Sequence, residues 1–119
     1  MVSDSVRLDL RVCGAFHQAI ELIGRRWTGA IVSVMLQGAT RFCELRDAIP
    51  GISDRLLAER LKELEGNGLV VRSVSDARPP RVSYRLTPKG KALAPVLDSV
   101  GGWASEWATR APSNDDPTR

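Results

Sequence analysis

The side chains with the most reactive chemistry in this sequence are two cysteines and one histidine. Cys13 precedes His17 by one helical turn, whereas Cys43 stands apart from both. In the first turn of a predicted helix, the helix dipole would favour the thiolate of Cys13 and lower its pKa. That thiolate could be alkylated or form a disulfide between subunits; the alternative is a small residue that only fills a helix end. We expect Cys43 to be inert. We expect His17 to be a surface residue and not a metal ligand, because metal sites need several ligands at fixed spacing.

A second set of polar side chains has the types that bind nucleic acid. Arg55, Glu59 and Lys62 share the outer face of a predicted helix, where an Arg can bond guanine bidentately and a Lys can reach guanine or a phosphate. At the start of that helix, Ser53 can bond a phosphate with help from free backbone N–H groups. The alternative is a set of solvated surface charges. The predicted DNA-binding residues are Arg41, Ser53, Asp54, Arg55, Glu59, Lys62, Arg78 and Arg81.

The stretch 49–64 predicts the element that positions most of this set. Pro50-Gly51 marks a tight turn, and Ser53 is a good helix N-cap because its hydroxyl can accept a bond from a free N–H of the first turn. Leu57, Leu61 and Leu64 then recur at the helical spacing and face a core. A shorter helix precedes the turn, with Arg41 at its start as a phosphate anchor. A helix, a short turn and a second helix with long polar side chains outside predict a helix-turn-helix.

Glycines and capping residues mark the ends of the other helices. A first helix is predicted from Arg11 to Gly24, with Gly24 in a left-handed conformation that ends it. A second helix starts near Trp27 and ends at Gly38. Thr40 is predicted to cap the third helix, and Asn67-Gly68 ends the fourth because both residues tolerate a positive φ.

After residue 68 the apolar pattern changes to the period of a strand. Residues 69–74 are rich in β-branched residues, and apolar and polar residues alternate over residues 81–86. The loop between them, residues 75–80, is rich in turn-forming residues. A β-hairpin is predicted, which is too small to stand alone and must pack on the helices as a wing. Arg78 and Arg81 flank its tip, where they could enter the minor groove or hold the DNA backbone.

The last helical segment opens at Thr87-Pro88, a capping hydroxyl followed by a proline at the first helical position. Pro95 and Gly101-Gly102 predict a kink or a break in it. Its apolar residues, together with those of the first helix, exceed what one small core can cover, so a two-fold dimer is expected to bury them and to place two recognition helices ~34 Å apart. In the alternative, the tryptophans fold back onto their own core. The predicted dimer-interface residues are Phe16, Ile20, Leu93, Leu97, Val100, Trp103 and Trp107.

Length and charge limit the class of protein. A chain of 119 residues, with 43% hydrophobic and 26% charged residues, predicts a single globular domain. The net charge is +3, but residues 72–91 contain six basic side chains and one acid, a local excess that suits a polyanion. The sequence has no apolar run that predicts a membrane span or a secretory signal, and a reducing cytoplasm is expected. We expect a flexible N-terminus at 1–10, one winged helix-turn-helix domain at 11–110 and a disordered tail at 111–119.

Several stretches in order and spacing resemble the HxlR family, a MarR-like branch of bacterial winged helix-turn-helix regulators. The resemblance covers most of the chain and implies a homodimer on a pseudo-palindromic operator, with the first and last helices forming the dimer interface. It also implies a role for Cys13, because many members carry a cysteine at this distance before Trp27, and in some it senses quinones, aldehydes or oxidants. Gly14 stands where a proline is common. The stretches are Gly24-Arg25-Arg26-Trp27-Thr28, Arg41-Phe42-Cys43-Glu44-Leu45, Ile49-Pro50-Gly51-Ile52-Ser53, 57–65 and Tyr84-Arg85-Leu86-Thr87-Pro88-Lys89-Gly90.

The fold class that follows is mainly α with a small β-hairpin, a winged helix-turn-helix with N- and C-terminal dimerisation helices. The expected function is that of a DNA-binding transcriptional repressor that responds to a thiol-reactive or small-molecule signal, with double-stranded DNA and a second copy of the chain as partners and no cofactor. The alternative is a winged-helix module that binds a protein without sequence-specific DNA binding. An enzyme is not expected, because the sequence has no Gly-rich phosphate loop, metal cluster or nucleophile motif.

Overall fold

A computed structural model describes residues 10–108 of the protein. Within them, a helical body carries a two-stranded antiparallel hairpin. The elements in chain order are α1 (Gly14–Ile23), α2 (Thr28–Leu36), α3 (Phe42–Ala48), α4 (Asp54–Gly66), β1 (Val70–Val74), β2 (Val82–Leu86), α5 (Pro88–Lys91), α6 (Ala94–Trp103) and a π-helical turn (Ala104–Ala108). This order is the predicted one, mainly α with one hairpin. None of the described helices is both long and apolar enough to cross a membrane.

The core lies where α2, α3, α4 and the start of the hairpin meet. Ile31, Leu45 and Leu57 are completely buried there, and they come from α2, α3 and α4 in turn. Leu61 and Leu64 extend the buried face of α4, as their helical spacing predicts. Because the inner face of α4 is fixed in this way, its opposite face must point to solvent.

The backbone conformation confirms the prediction at one helix end and contradicts it at another. Gly24 has a right-handed backbone (φ −80°), so the prediction of a left-handed residue there is wrong. A side chain at Gly24 would instead meet the backbone oxygen of Ile20 at 2.7 Å, which explains why a glycine fits. The left-handed residue of this turn is Trp27 (φ 78°), the N-cap of α2. Gly38 does take a positive φ, 114°, after α2, as expected.

Helix α3 begins one residue later than predicted, because its N-cap is Arg41 and not Thr40. The Glu44 carboxylate accepts hydrogen bonds from the backbone N–H groups of Thr40 and Arg41, both at 2.9 Å. These two bonds hold the pKa of the Glu44 carboxyl below its usual range. The carboxylate thus does the capping that was assigned to the Thr40 hydroxyl. At the end of α4 only Gly68 takes a positive φ, 77°, whereas Asn67 stays at −91°.

The hairpin is anchored to the helices at its base. Residues pair in register from Val70 opposite Leu86 to Val74 opposite Val82. The Tyr84 N–H donates to the Thr40 oxygen at 2.7 Å, which ties β2 to the segment before α3. After β2, the Thr87 hydroxyl donates to the Gly68 oxygen at 2.6 Å. The wing therefore has a fixed root.

The C-terminal helical segment is broken, as predicted, and the break lies near Pro95. Thr87 caps α5 and Pro88 follows at its first position. The chain leaves the helical pattern at residues 92–93, just before Pro95 in the first turn of α6. Gly101-Gly102, by contrast, lie inside the last turn of α6. Neither α1 nor α6 has a single buried residue.

Candidate nucleic-acid interface

A tight turn sets the angle between α3 and α4. Gly51 has a φ of 90°, a conformation that favours glycine. Ile49 and Ile52, on either side of it, are buried in the core and fix the ends of the turn. The Ser53 hydroxyl then accepts the Leu56 N–H at 3.1 Å and starts α4, as predicted. The pair α3–α4 has the order and the short turn of a helix-turn-helix, in which α4 takes the position of the recognition helix.

The exposed face of α4 carries the side chains that suit base recognition. Arg55 is 88% exposed, and its Nε lies 3.3 Å from Glu59 Oε2, one helical turn away. Lys62 follows on the same face and forms no ion pair within residues 10–108. An ion pair this exposed contributes little to stability, so Arg55 can leave Glu59 for a DNA partner at small cost. The face thus offers two cations and one carboxylate acceptor in a row.

Asp54 is held from the side by α3. Arg46 Nη1 lies 3.5 Å from Asp54 Oδ1, and Arg46 Nε lies 3.4 Å from Asp47. The hydrogen bond to Asp47, and then the charge of Asp54, raise the pKa of Arg46 further. A free carboxylate at Asp54 would repel a phosphate, so Arg46 offsets the charge at this helix start. Sequence reasoning missed Arg46, although a basic residue at the end of α3 and an acid at the start of α4 were a signal.

Arg60 lies on α4, but its contacts are with other parts of the protein and not with solvent. Its side chain is 10% exposed; Nε donates to the Arg26 oxygen at 3.0 Å, and Nη1 lies 3.4 Å from Glu63. Glu63 also pairs with Arg25 at 2.9 Å. These contacts join the turn between α1 and α2 to α4. The left-handed Trp27 in that turn, with the Arg26 guanidinium 4.9 Å from its ring centroid, had no signal in the sequence.

The wing loop exposes its two predicted cations. The Arg81 N–H donates to the Ser75 hydroxyl at 2.9 Å, and the Ser75 N–H donates to the Arg81 oxygen at 2.8 Å, so the loop closes on itself. Arg78 lies between them, exposed like the rest of residues 74–81. Arg41, the predicted phosphate anchor, is half-buried at the start of α3. The structure thus places predicted DNA-binding residues on three elements: α3, α4 and the wing.

The predicted dimer-interface residues fall into two groups. Leu93 and Leu97 are half-buried and pack against the core of their own chain. The other members are exposed by about half or more, up to 63% for Trp103, so neither tryptophan is folded back onto the core. The exposed group consists of Phe16, Ile20, Val100, Trp103 and Trp107.

Cys13 is exposed and occupies the N-cap position of α1, where its side chain makes no capping hydrogen bond. The backbone N–H groups of Phe16 and then Ala15 face its sulfur and lower the pKa of the thiol. Cys43 is a second exposed free thiol. Among the residues that the structure describes, no three His, Cys, Asp or Glu side chains converge where they could hold a metal ion.

Comparisons with known proteins agree on one family. Residues 22–112 match the family model described as HxlR-like helix-turn-helix. The chain is 47% identical to the Bacillus subtilis HTH-type transcriptional regulator YvaP over 96 residues, which cover 81% of this chain and 89% of that protein. It is 44% identical to B. subtilis YodB, also an HTH-type transcriptional regulator, over 81% of this chain and 86% of YodB.

Solved structures give the same result. The reduced form of YodB superposes with a TM-score of 0.74 and 41% identity, over 88% of this chain and 100% of that one. The redox regulator HypR in its reduced form gives a TM-score of 0.77 and 33% identity, over 85% and 100% of the two chains. YodB is also known in quinone-bound and diamide-treated forms, and HypR in an oxidised form.

Proposed function

The chain belongs to the HxlR-like helix-turn-helix family of transcriptional regulators, and we propose that it represses transcription as a homodimer bound to a pseudo-palindromic operator. The observation that carries this proposal is the outer face of α4. A helix whose inner face is locked in the core presents Arg55, Glu59 and Lys62 to solvent after a turn typical of a helix-turn-helix. We assign this function to a domain spanning residues 11–110, and its site of action on DNA to the cytoplasm.

In this proposal each exposed element has one task on DNA. Helix α4 enters the major groove, where Arg55 bonds guanine, Lys62 reaches guanine or a phosphate, and Glu59 accepts from cytosine. Ser53 and Arg41 contact phosphates near the two helix starts. Arg78 and Arg81 on the wing hold the adjacent minor groove or its backbone. Asp54 stays paired with Arg46, which keeps the acid from repelling the phosphates beside Ser53.

The homodimer is supported by the unburied faces of α1 and α6. Phe16 and Ile20 on α1 and Trp103 on α6 are large apolar side chains left in solvent. Exposed apolar side chains that are clustered in this way often mark a protein–protein interaction site. A second copy that covered both faces would bury them by two-fold symmetry, the usual symmetry of small homodimers. Two α4 helices would then lie on one side of the dimer, one turn of DNA apart.

Cys13 is the residue through which we expect a thiol-reactive signal to act. It is exposed, its pKa is lowered, and it is the N-cap residue of one of the two proposed dimerisation helices. In this proposal, oxidation or alkylation of the sulfur removes the thiolate beside the Phe16 and Ala15 N–H groups and thereby alters the start of α1. The Arg60–Arg26 and Arg25–Glu63 contacts join the far end of α1 to α4, so they offer a path from the thiol to the recognition helix.

The test is a DNA-binding titration with four samples. Wild-type protein and Cys13→Ser are each titrated on the upstream intergenic DNA of the gene and on a scrambled control, reduced and after mild diamide treatment. The proposal expects specific binding by both reduced proteins, a loss of binding by treated wild type, and no loss by treated Cys13→Ser. A Cys43→Ser variant is the matched thiol control and should respond like wild type.

Two results would count against the proposal. Equal and weak binding to both DNAs, with no steep salt dependence, would favour a protein-interaction module over a DNA-binding regulator. An oxidant response that persists in Cys13→Ser would leave the DNA-binding function intact but refute the role of Cys13.

A further inference from the structure

A single peptide group joins α3 to the wing. The peptide between Thr40 and Arg41 donates its N–H to Glu44 Oε1 at 2.9 Å. Its carbonyl oxygen accepts the Tyr84 N–H of β2 at 2.7 Å. We propose that Glu44 is a positioning residue for DNA binding, because it orients this peptide and thereby the wing. The role rests on the proposed function, since it acts through the arginines of the wing loop.

The two hydrogen bonds are coupled through a rigid unit. A peptide group is planar, so its N–H and its C=O cannot turn independently of each other. When Glu44 fixes the direction of the N–H, it therefore also fixes the direction in which the Thr40 oxygen points toward β2. Hydrogen bonds in such a chain polarise one another, and the carboxylate charge strengthens the first of them.

Glu44 holds the preceding peptide group as well. The Thr40 N–H donates to the same Oε1 atom at 2.9 Å. One residue earlier, the Ala39 N–H donates to the Val34 oxygen of α2 at 3.3 Å. The segment 39–41 is thus tied to α2 on one side and to α3 on the other, so it can serve as a fixed support for β2.

The wing needs such a support because a two-stranded hairpin is marginal on its own. Tyr84 is the middle residue of β2, so its bond to Thr40 supports the hairpin nearer the tip than the Thr87 hydroxyl does at the root. Arg81 lies three residues beyond Tyr84, which is ~10 Å at ~3.3 Å per residue of strand. A small change in the direction of β2 is therefore enlarged at the guanidinium of Arg81.

Two substitutions of Glu44 separate its hydrogen bonds from its charge. Glu44→Ala removes the acceptor, so the Arg41 N–H turns to water and the peptide loses its fixed orientation. Glu44→Gln keeps a side-chain oxygen with two lone pairs at the same distance from the backbone, which is enough for both N–H donors. Operator affinity should therefore fall in Glu44→Ala and stay at the wild-type value in Glu44→Gln.

The test is a pair of double-mutant cycles on operator affinity, measured by fluorescence anisotropy with the full chain. In the first cycle, Glu44→Ala is made in wild type and in Arg78→Gln/Arg81→Gln, which keeps the backbone bonds that close the wing loop. In the second, it is made in wild type and in Arg55→Gln on α4. Residues in one network couple, whereas independent sites add. The loss caused by Glu44→Ala should shrink by about fivefold without the wing arginines and change by less than ~twofold without Arg55.

Two further measurements separate positioning from lost stability. Asn67→Ala is the matched control, because it removes another helix-end bond, from Asn67 Nδ2 to the Glu63 oxygen at 2.8 Å, and its effect on operator affinity should be the same with and without the wing arginines. Amide hydrogen exchange of Tyr84 reports the link without DNA: exchange should be faster in Glu44→Ala and unchanged in Glu44→Gln. If Glu44→Ala does not fold, Glu44→Asp, whose carboxylate is one methylene shorter, takes its place.

Several results would overturn this role. An equal loss in Glu44→Ala with and without the wing arginines would show that Glu44 only caps α3, and so would an unchanged exchange rate of Tyr84. Coupling to Arg55 as large as the coupling to the wing, or a loss in Glu44→Gln equal to that in Glu44→Ala, would also contradict it. Additive cycles in a protein that binds its operator specifically would refute this role alone. Wild-type protein that binds operator and scrambled DNA equally would refute the proposed function and this role with it.

Discussion

Substitution of two arginines on α4 should affect stability and DNA binding differently. Arg55 and Arg60 are both ion-paired and lie five positions apart on one helix, but Arg55 is 88% exposed and Arg60 only 10%. We expect Arg60→Ala to lower the free energy of unfolding substantially and Arg55→Ala to leave it nearly unchanged. For specific DNA binding, we expect Arg55→Ala to cause the larger loss.

The magnitudes follow from the partners of each side chain. Hydrogen bonds to a charged group contribute ~1.5–3 kcal/mol, and Arg60 gives one to the Arg26 oxygen from a nearly water-free position. Its pairing with Glu63 adds little, because Glu63 keeps Arg25 at 2.9 Å. Arg60→Ala should therefore cost ~1.5–3 kcal/mol by this principle. The exposed Arg55–Glu59 pair contributes at most ~0.5 kcal/mol, whereas a lost bidentate contact to guanine costs ~1–3 kcal/mol per half-site.

The assay is urea unfolding followed by circular dichroism at one fixed protomer concentration, since the stability of a dimer depends on concentration. Equal m-values in the three proteins would show that the same surface unfolds in each. Fluorescence anisotropy on operator DNA, well below the unfolding transition, gives the second readout. Equal losses of stability in the two variants, or a cost below ~0.5 kcal/mol for Arg60→Ala, would refute the assignment of Arg60 to the fold.

Further outcomes follow from other parts of the structure. Gly90→Ala should destabilise the protein by ~1–3 kcal/mol in urea, because its β-carbon would run into the Leu69 oxygen, whereas Gly29→Ala on α2, with no atom within 4 Å, should be neutral or stabilising. The rate of Cys13 alkylation by iodoacetamide should rise with pH along a titration curve whose midpoint lies below the ordinary thiol pKa of ~8.5, since the lowered pKa leaves more thiolate at neutral pH; an unchanged midpoint in denaturing urea would contradict this. Trp103→Glu should shift the sedimentation coefficient from dimer to monomer without loss of helical signal, and an unchanged dimer would exclude α6 from the interface.

The parts of the fold that could be predicted from sequence are those fixed by periodicity and capping chemistry. The leucine spacing of α4, the Ser53 cap, the alternation in β2 and the Thr87-Pro88 start were each enough to locate an element. At Gly24 the predicted cause was wrong although the position of the helix end was right. Gly24 is a glycine because of the Ile20 oxygen and not because of its own φ.

In the candidate site, too, features set by helical periodicity could be predicted, and features set by packing between elements could not. The face on which Arg55 lies follows from helical geometry alone, so its exposure could be predicted. The pairing of Arg46 with Asp54 depends on the angle between α3 and α4, which no spacing within either helix contains. The left-handed backbone of Trp27 likewise depends on the packing of a turn, and aromatic residues give no local signal for it.

Helix α1 has few contacts with the rest of the described chain, which supports the proposed homodimer. It has ten residues and none of them is buried, whereas isolated helices shorter than ~12–15 residues are marginal in water. Within the chain, α1 packs against the core through the half-buried Leu22, and the exposed Phe16 and Ile20 are the side chains that the proposed partner would cover. Because Cys13 is the N-cap residue of this helix, the proposed thiol signal would act on one of the two helices assigned to the proposed dimer interface. Dimerisation and thiol chemistry should thus be linked: conditions that favour the monomer should also change the reactivity of Cys13.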